Sequence, residues 1–174
     1  KGWIRAAKGH DIDVHSLNYR SGDKYLDSAK GRSTQPVYVL DSTGRAYTVA
    51  THDLPSARSQ GEPLTGRLKP PAGSLFTYLF SGQADDWYVM VSNAGYGFRV
   101  QLKDLQSKNK AGKAVISLPA GASVLMPVSV NNDSDLIAAV TTQGRLLIFP
   151  VLELPALSKG KGNKLIQIPP ADFK

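Results

Sequence analysis

The stretch "IAAVTTQGRLLIFPVLELPALSKGKGNKL", residues Ile137 to Leu165, holds a strand-like run, a turn glycine at Gly144 and a second strand-like run. Leu154 follows ten residues after the glycine, and a lysine-bearing loop then reaches Gly162. Two other segments superpose on it. In "VYVLDSTGRAYTVATHDLPSARSQGEPL", residues 37–64, the landmarks are Gly44, Leu54 and Gly61; in "YVMVSNAGYGFRVQLKDLQSKNKAGKAV", residues 88–115, they are Gly95, Leu105 and Gly112. The landmark glycines lie 51 and 49 residues apart, and only the last copy reaches its loop glycine one residue late. The opening "KGWIRAAKGHDID" reads as an earlier copy with Gly2 at the landmark. There Leu17 arrives five residues late and 42 residues separate Gly2 from Gly44, so that copy lacks a hairpin's worth of chain.

Working outward, apolar runs of four to eight residues bounded by turn residues recur along the chain: "PVYVLD", "AYTVAT", "LFTYLF", "WYVMVS", "GFRVQL", "AVISL", "SVLMPVSV", "LIAAVTT", "RLLIFPV" and "KLIQIP". β-Branched and aromatic residues dominate them, which is the strand signature, and no capped helical period exceeds two turns. The turns "STG", "NAG" and "TQG" put glycine where a hairpin wants positive φ. A period near fifty with about four strands per repeat predicts an all-β radial array of four-stranded blades. About three complete blades plus partial ones fit, as a single domain over residues 1–174.

The 174 residues are 41% hydrophobic and 20% charged, as expected of a folded domain, and the formal charge of +7 favours anionic partners: nucleic acid, an acidic protein or a membrane surface. With no cysteine there is no disulfide, thiolate metal site or thiol nucleophile, and the composition suits a reducing compartment. The run "LLIFPVLELPAL" is too short and too interrupted to span a bilayer, and no signal peptide is visible. The chain opens at Lys1 without a methionine and stops in another basic strand-like segment, which reads as a portion cut from something longer.

The charge is unevenly placed. The loop after Leu154 carries Lys159, Lys161 and Lys164, and its counterpart after Leu105 carries Lys108, Lys110 and Lys113, neither with a carboxylate. The loop after Leu54 has Arg58 and a nearby Glu62. Equivalent loops of a radial array lie along one rim, where their charges add into a band. The lysine loops contain no aromatic residue for base stacking, so contact with phosphates is expected rather than single-strand recognition.

The blade pattern, with "KGWIRAAKGHDID", "LDSTGRAYTV", "LPSARSQGEPLTG" and "SKGKGNK" in that order, resembles the C-terminal domain of the A subunits of bacterial type IIA topoisomerases, the gyrase and topoisomerase IV family. The resemblance covers essentially the whole chain, and the close match of these segments favours the topoisomerase IV branch. The Q-R-R-G-G-K-G box of gyrase domains is nowhere in the chain; either it lies before Lys1 or it is missing, as in topoisomerase IV. The resemblance implies a β-pinwheel whose blades exchange strands and whose basic rim binds and bends duplex DNA. It also implies partnership with the rest of the A subunit, with the B subunit too, and a cytoplasmic, chromosome-associated place in bacteria. An acidic protein partner such as a chromosome condensin is the rival reading of the same rim.

Other chemistry finds little support. None of the tyrosines follows the family's Ala-Arg-Tyr nucleophile pattern. In "GHDIDVH", Asp11, Asp13 and His15 share strand parity but are nearly collinear, so no metal site is expected. "AGKA" and "GKGNK" fail the phosphate-loop pattern, and there is no nucleophile elbow. The expectation is a non-catalytic, cofactor-free duplex-DNA-binding domain. Lys108, Lys110, Lys113, Lys159, Lys161 and Lys164 are its phosphate contacts, and Arg58, Arg20, Arg5 and Lys8 are secondary candidates from the earlier loops.

Overall fold

In the computed structural model of the chain, the described residues are 2–167. They form short strands in this order: β1 (Trp3–Ile4), β2 (Pro36–Asp41), β3 (Arg45–Ala50), β4 (Glu62–Pro63), β5 (Phe76–Ser81), β6 (Trp87–Val91), β7 (Tyr96–Gln101), β8 (Lys113–Ala114), β9 (Val128–Val130), β10 (Leu136–Val140), β11 (Leu146–Pro150) and β12 (Asn163–Lys164). The one α-helix among them, α1 (Leu102–Leu105), is a single turn. The protein is all-β.

The pairing follows the repeat. Each landmark glycine closes an antiparallel hairpin, β2–β3, β6–β7 or β10–β11. In the β2–β3 turn, Gly44 has φ +82° and its amide donates to Asp41 O at 3.0 Å. Each hairpin then runs into one helical turn at 51–53, 102–105 or 151–153, and the landmark leucine closes it. Past the leucine the chain returns to an earlier hairpin: β4 pairs with β1, β12 with β7, and β8 joins the sheet beside β3. Two four-stranded sheets result, ordered β5-β2-β3-β8 and β12-β7-β6-β9, and there are two two-stranded pairs, β1-β4 and β10-β11. In both four-stranded sheets the outermost strand is supplied after the next hairpin, so the blades exchange strands.

The chain divides into two compact units, one of residues up to Gln83 with Gln106–Lys113, the other of Ala84–Leu105 with Ala114 onward. The first has its core in Ile4, Val37, Val39, Tyr47, Val49, Leu64 and Leu68, with Leu54, Phe76 and Leu79 against them. The second packs Val89, Val151 and Leu154 with Val91, Val130, Ile137, Phe149 and Leu165. Alternation along the strands puts these residues on one face. In the β10–β11 hairpin Ile137 and Phe149 face that core, while Leu136, Val140, Leu146 and Ile148 are left exposed.

Asp41 is fully buried at the β2–β3 turn, and its carboxylate accepts from the Tyr47 hydroxyl at 2.6 Å, from Thr43 N and Oγ1 at 2.8 and 2.7 Å and from Arg45 N at 3.1 Å. Four donors satisfy a charge that has left water. Burial, followed by the hydrogen bond to Asp41, pushes the Tyr47 hydroxyl far above its ordinary pKa.

Two expected strands are not strands. "AVISL" gives only Ala114 to a strand, after which Val115 and Ile116 are buried and Ile116 makes a single parallel bridge with Gly160. "KLIQIP" contributes Lys164 to β12 and Leu165 to the core, while Ile168 and Pro169 lie outside the described residues. Apolar runs of this length read alike whether they extend a ladder or plug a core.

Candidate nucleic-acid interface

The two lysine loops are the return segments that carry the chain back to β3 and β7, and backbone bonds hold both. In the first unit, Ser107 N donates to Thr48 Oγ1 at 3.0 Å and Lys69 N to Lys110 O at 2.8 Å. Asn109 folds the loop on itself by accepting from Ala111 N through Oδ1 and from Gly112 N through its carbonyl. Arg45 then clamps the end, with Nε on Ala111 O at 2.9 Å and Nη2 on Gly112 O at 3.1 Å.

In the second unit, Arg99 N donates to Pro155 O at 2.8 Å and Leu157 N to Arg99 O at 2.9 Å, while Leu165 N closes the far end on Gly95 O at 2.7 Å. The residue by which this loop is late is absorbed around Gly160. Its amide donates to Val115 O at 2.8 Å and its carbonyl accepts from Ser117 N at 2.9 Å. Gly162 takes φ +78°, and a Cβ there would stand 2.1 Å from Gly97 O. Only glycine lets the loop backbone press on β7.

These anchors leave the lysines outward. Lys108, Lys110, Lys159, Lys161 and Lys164 are exposed and Lys113 is half-exposed. The side-chain ion pairs His52–Asp53, Arg67–Glu62 and Lys103–Asp85 involve none of those five exposed lysines. A loop whose backbone is fixed and whose ammonium groups are solvated can accept an anion with little ordering of its own.

The secondary candidates are placed differently. Arg58 is exposed on the return segment toward β1, and Lys8 is exposed. Arg5 donates from Nη1 to Ser59 O at 3.0 Å and lies 5.0 Å from the Tyr19 ring, while Arg20 lies 4.0 Å from the Trp3 ring centre. Arg5, half-buried, is thus partly engaged within the fold, whereas Arg20 is exposed and its charge faces solvent. In "GHDIDVH", Asp13 caps the turn at 14–16, the His15 ring packs on Tyr25 and His10 Nε2 is 3.2 Å from Gly31 O.

Reasoning from the loops alone missed four residues. Lys69, exposed, joins the first loop through its amide. Arg67 and Asp53 line a cleft with Lys108 and Lys110. Tyr96, from the strand that receives the second loop, carries Lys161 Nζ 3.8 Å from its ring centre, which supplies the aromatic neighbour that the loop itself lacks. Strand register is the signal that finds it, since Tyr96 stands opposite Lys164.

Comparison with known proteins follows the same lines. Residues 86–129 and 135–173 match the family described as DNA gyrase C-terminal domain, beta-propeller. The chain is 55% identical to the A subunit of DNA topoisomerase 4 from Pseudomonas aeruginosa, over 97% of its own length and 22% of the relative's. It therefore spans about a fifth of the curated relatives it matches. The solved E. coli ParC C-terminal domain aligns at 51% identity and TM-score 0.91, covering 98% of this chain and 70% of that one. A DNA gyrase A C-terminal domain shares the fold at 19% identity and TM-score 0.68, over 88% and 54%.

Proposed function

The chain belongs to the topoisomerase IV branch of the gyrase A C-terminal domain family, and from that premise we propose that it binds duplex DNA through its lysine loops and performs no chemistry of its own. The observation that carries the proposal is the build of those loops. Each has a backbone pinned to a strand, and together they hold five exposed ammonium groups that the ion pairs His52–Asp53, Arg67–Glu62 and Lys103–Asp85 leave out. Phosphate needs charge and backbone donors, whereas base edges need planar or bidentate groups. Lysine, a point charge on a flexible stem, contacts phosphate without reading sequence, so binding is expected to be largely sequence-independent.

Several neutralised phosphates along the loops would offset a bend of the duplex, which costs on the order of 1–6 kcal/mol over a few tens of base pairs. In the parent enzyme such an element captures the DNA segment to be transported and biases relaxation and decatenation by how that segment enters. The partners this role requires are the B subunit, with the remainder of the A subunit.

Titration of the purified chain with random-sequence duplex at low salt tests the reading. The expected result is binding that weakens steeply as salt rises. Absence of binding overturns it and leaves docking of an acidic protein, such as a condensin, as the use of the same lysines.

A further inference from the structure

The residue that follows a landmark glycine meets the basic return loop in both units. In the first unit that residue is Arg45, which grips the carbonyls of Ala111 and Gly112. In the second it is Tyr96, half-buried, with Lys161 Nζ 3.8 Å from its ring centre. We propose that Tyr96 is a positioning residue that holds the Lys161 ammonium ready for a duplex phosphodiester, an inference that rests on the reading of the loops as phosphate-binding.

The physical reason lies in what an aromatic face does to a cation. A carboxylate partner would fix the ammonium but cancel its charge, and a phosphate would then have to displace it. The ring attracts the cation through its quadrupole and leaves the formal charge and the outward N–H donors available. Lys161 is exposed although held, so its charge still faces solvent. The ring itself is well fixed. Tyr96 begins β7 opposite Lys164, and Leu165 N bonds Gly95 O beside it at 2.7 Å. Gly160 and Gly162 flank Lys161 and are pinned to Val115 and β7. Ring and lysine backbone are thus both anchored, which restricts the side chain that joins them.

A double-mutant cycle on the whole chain tests this, with random-sequence duplex as the probe. Tyr96→Leu removes the ring quadrupole and keeps an apolar side chain for packing. It is expected to weaken binding about two- to fivefold, the range of an exposed cation–π contact. In a Lys161→Ala background the same change should cause no further loss, and Tyr96→Phe should bind like the parent. A second readout is independent of DNA: the Lys161 side-chain methylene protons should be shifted upfield by the ring in the parent and in Tyr96→Phe, and unshifted in Tyr96→Leu. Equal losses from Tyr96→Leu in both backgrounds, or unshifted Lys161 protons in the parent, overturn the inference while leaving duplex binding intact. A parent chain that fails to bind duplex at all removes the underlying reading, and this inference with it.

Discussion

Replacing Lys108, Lys110 and Lys113 with alanine takes the formal charge from +7 to +4, and replacing Lys159, Lys161 and Lys164 as well takes it to +1. Five of the six are exposed and Lys113 is half-exposed, so each can reach a phosphate from its fixed loop. Each phosphate neutralised contributes roughly 0.9 to the slope of log K against log salt, so a triple variant should shrink the slope by up to about 2.7 and the sextuple by up to about 5. The assay is fluorescence anisotropy with a random duplex over a salt series. Net charge needs its own control, and Lys24, Lys30 and Arg32 to alanine reach the same +4 from exposed positions away from the return loops. Lys69, Arg45 and Arg99 are unsuitable controls, because each touches a lysine loop through backbone or guanidinium hydrogen bonds. Thermal midpoints should hardly move, since solvated lysines on loops contribute little to stability. If the control triple loses as much slope as a loop triple, only total charge is being read and the reasoning fails.

Other perturbations test the fold beneath the loops. Gly162→Ala drives a Cβ into the Gly97 carbonyl and should cost about 3 kcal/mol in urea unfolding, against about 1 for Gly144→Ala, where only positive φ is strained and nothing lies within 4 Å. Asp41→Ala leaves four donors at the β2–β3 turn without their acceptor and should destabilise the protein by about 3 kcal/mol in the same assay. The raised pKa of Tyr47 implies a stability that is complete below pH 10 and lost as pH rises above it, because the unfolded tyrosine ionises first. Tyr47→Phe should flatten that alkaline limb in a series of urea titrations. Asp27 Oδ2 accepts from Leu79 N on the outer edge of β5, so Asp27→Ala should hasten amide exchange at Leu79.

Much of the fold is legible because the repeat is written in residues with a physical duty. Gly44, Gly95 and Gly144 close hairpins with φ from +76° to +82°, and Leu105 and Leu154 are buried at the ends of helical turns. What is illegible depends on register between distant segments. "AVISL" has a strand's composition, but its ladder ends at Ala114 because Val115 and Ile116 are needed as core. The lysines are visible as a run, whereas their anchors are not: Arg45 meets Ala111 and Tyr96 meets Lys161 only once β8 and β12 have returned to their sheets. Arg5 and Arg20 read from the sequence as secondary phosphate candidates from the earlier loops, and their ring neighbours Tyr19 and Trp3 become visible only in the fold.

The most direct test of duplex binding by the lysine loops is site-resolved. Reductive methylation with a carbon-13 label keeps each lysine charged and gives each a separate NMR signal. On titration with random-sequence duplex, the signals of Lys108, Lys110, Lys159, Lys161 and Lys164 should shift together, while those of Lys24 and Lys30 stay in place. Movement of the latter two with the loop lysines unmoved would contradict the account.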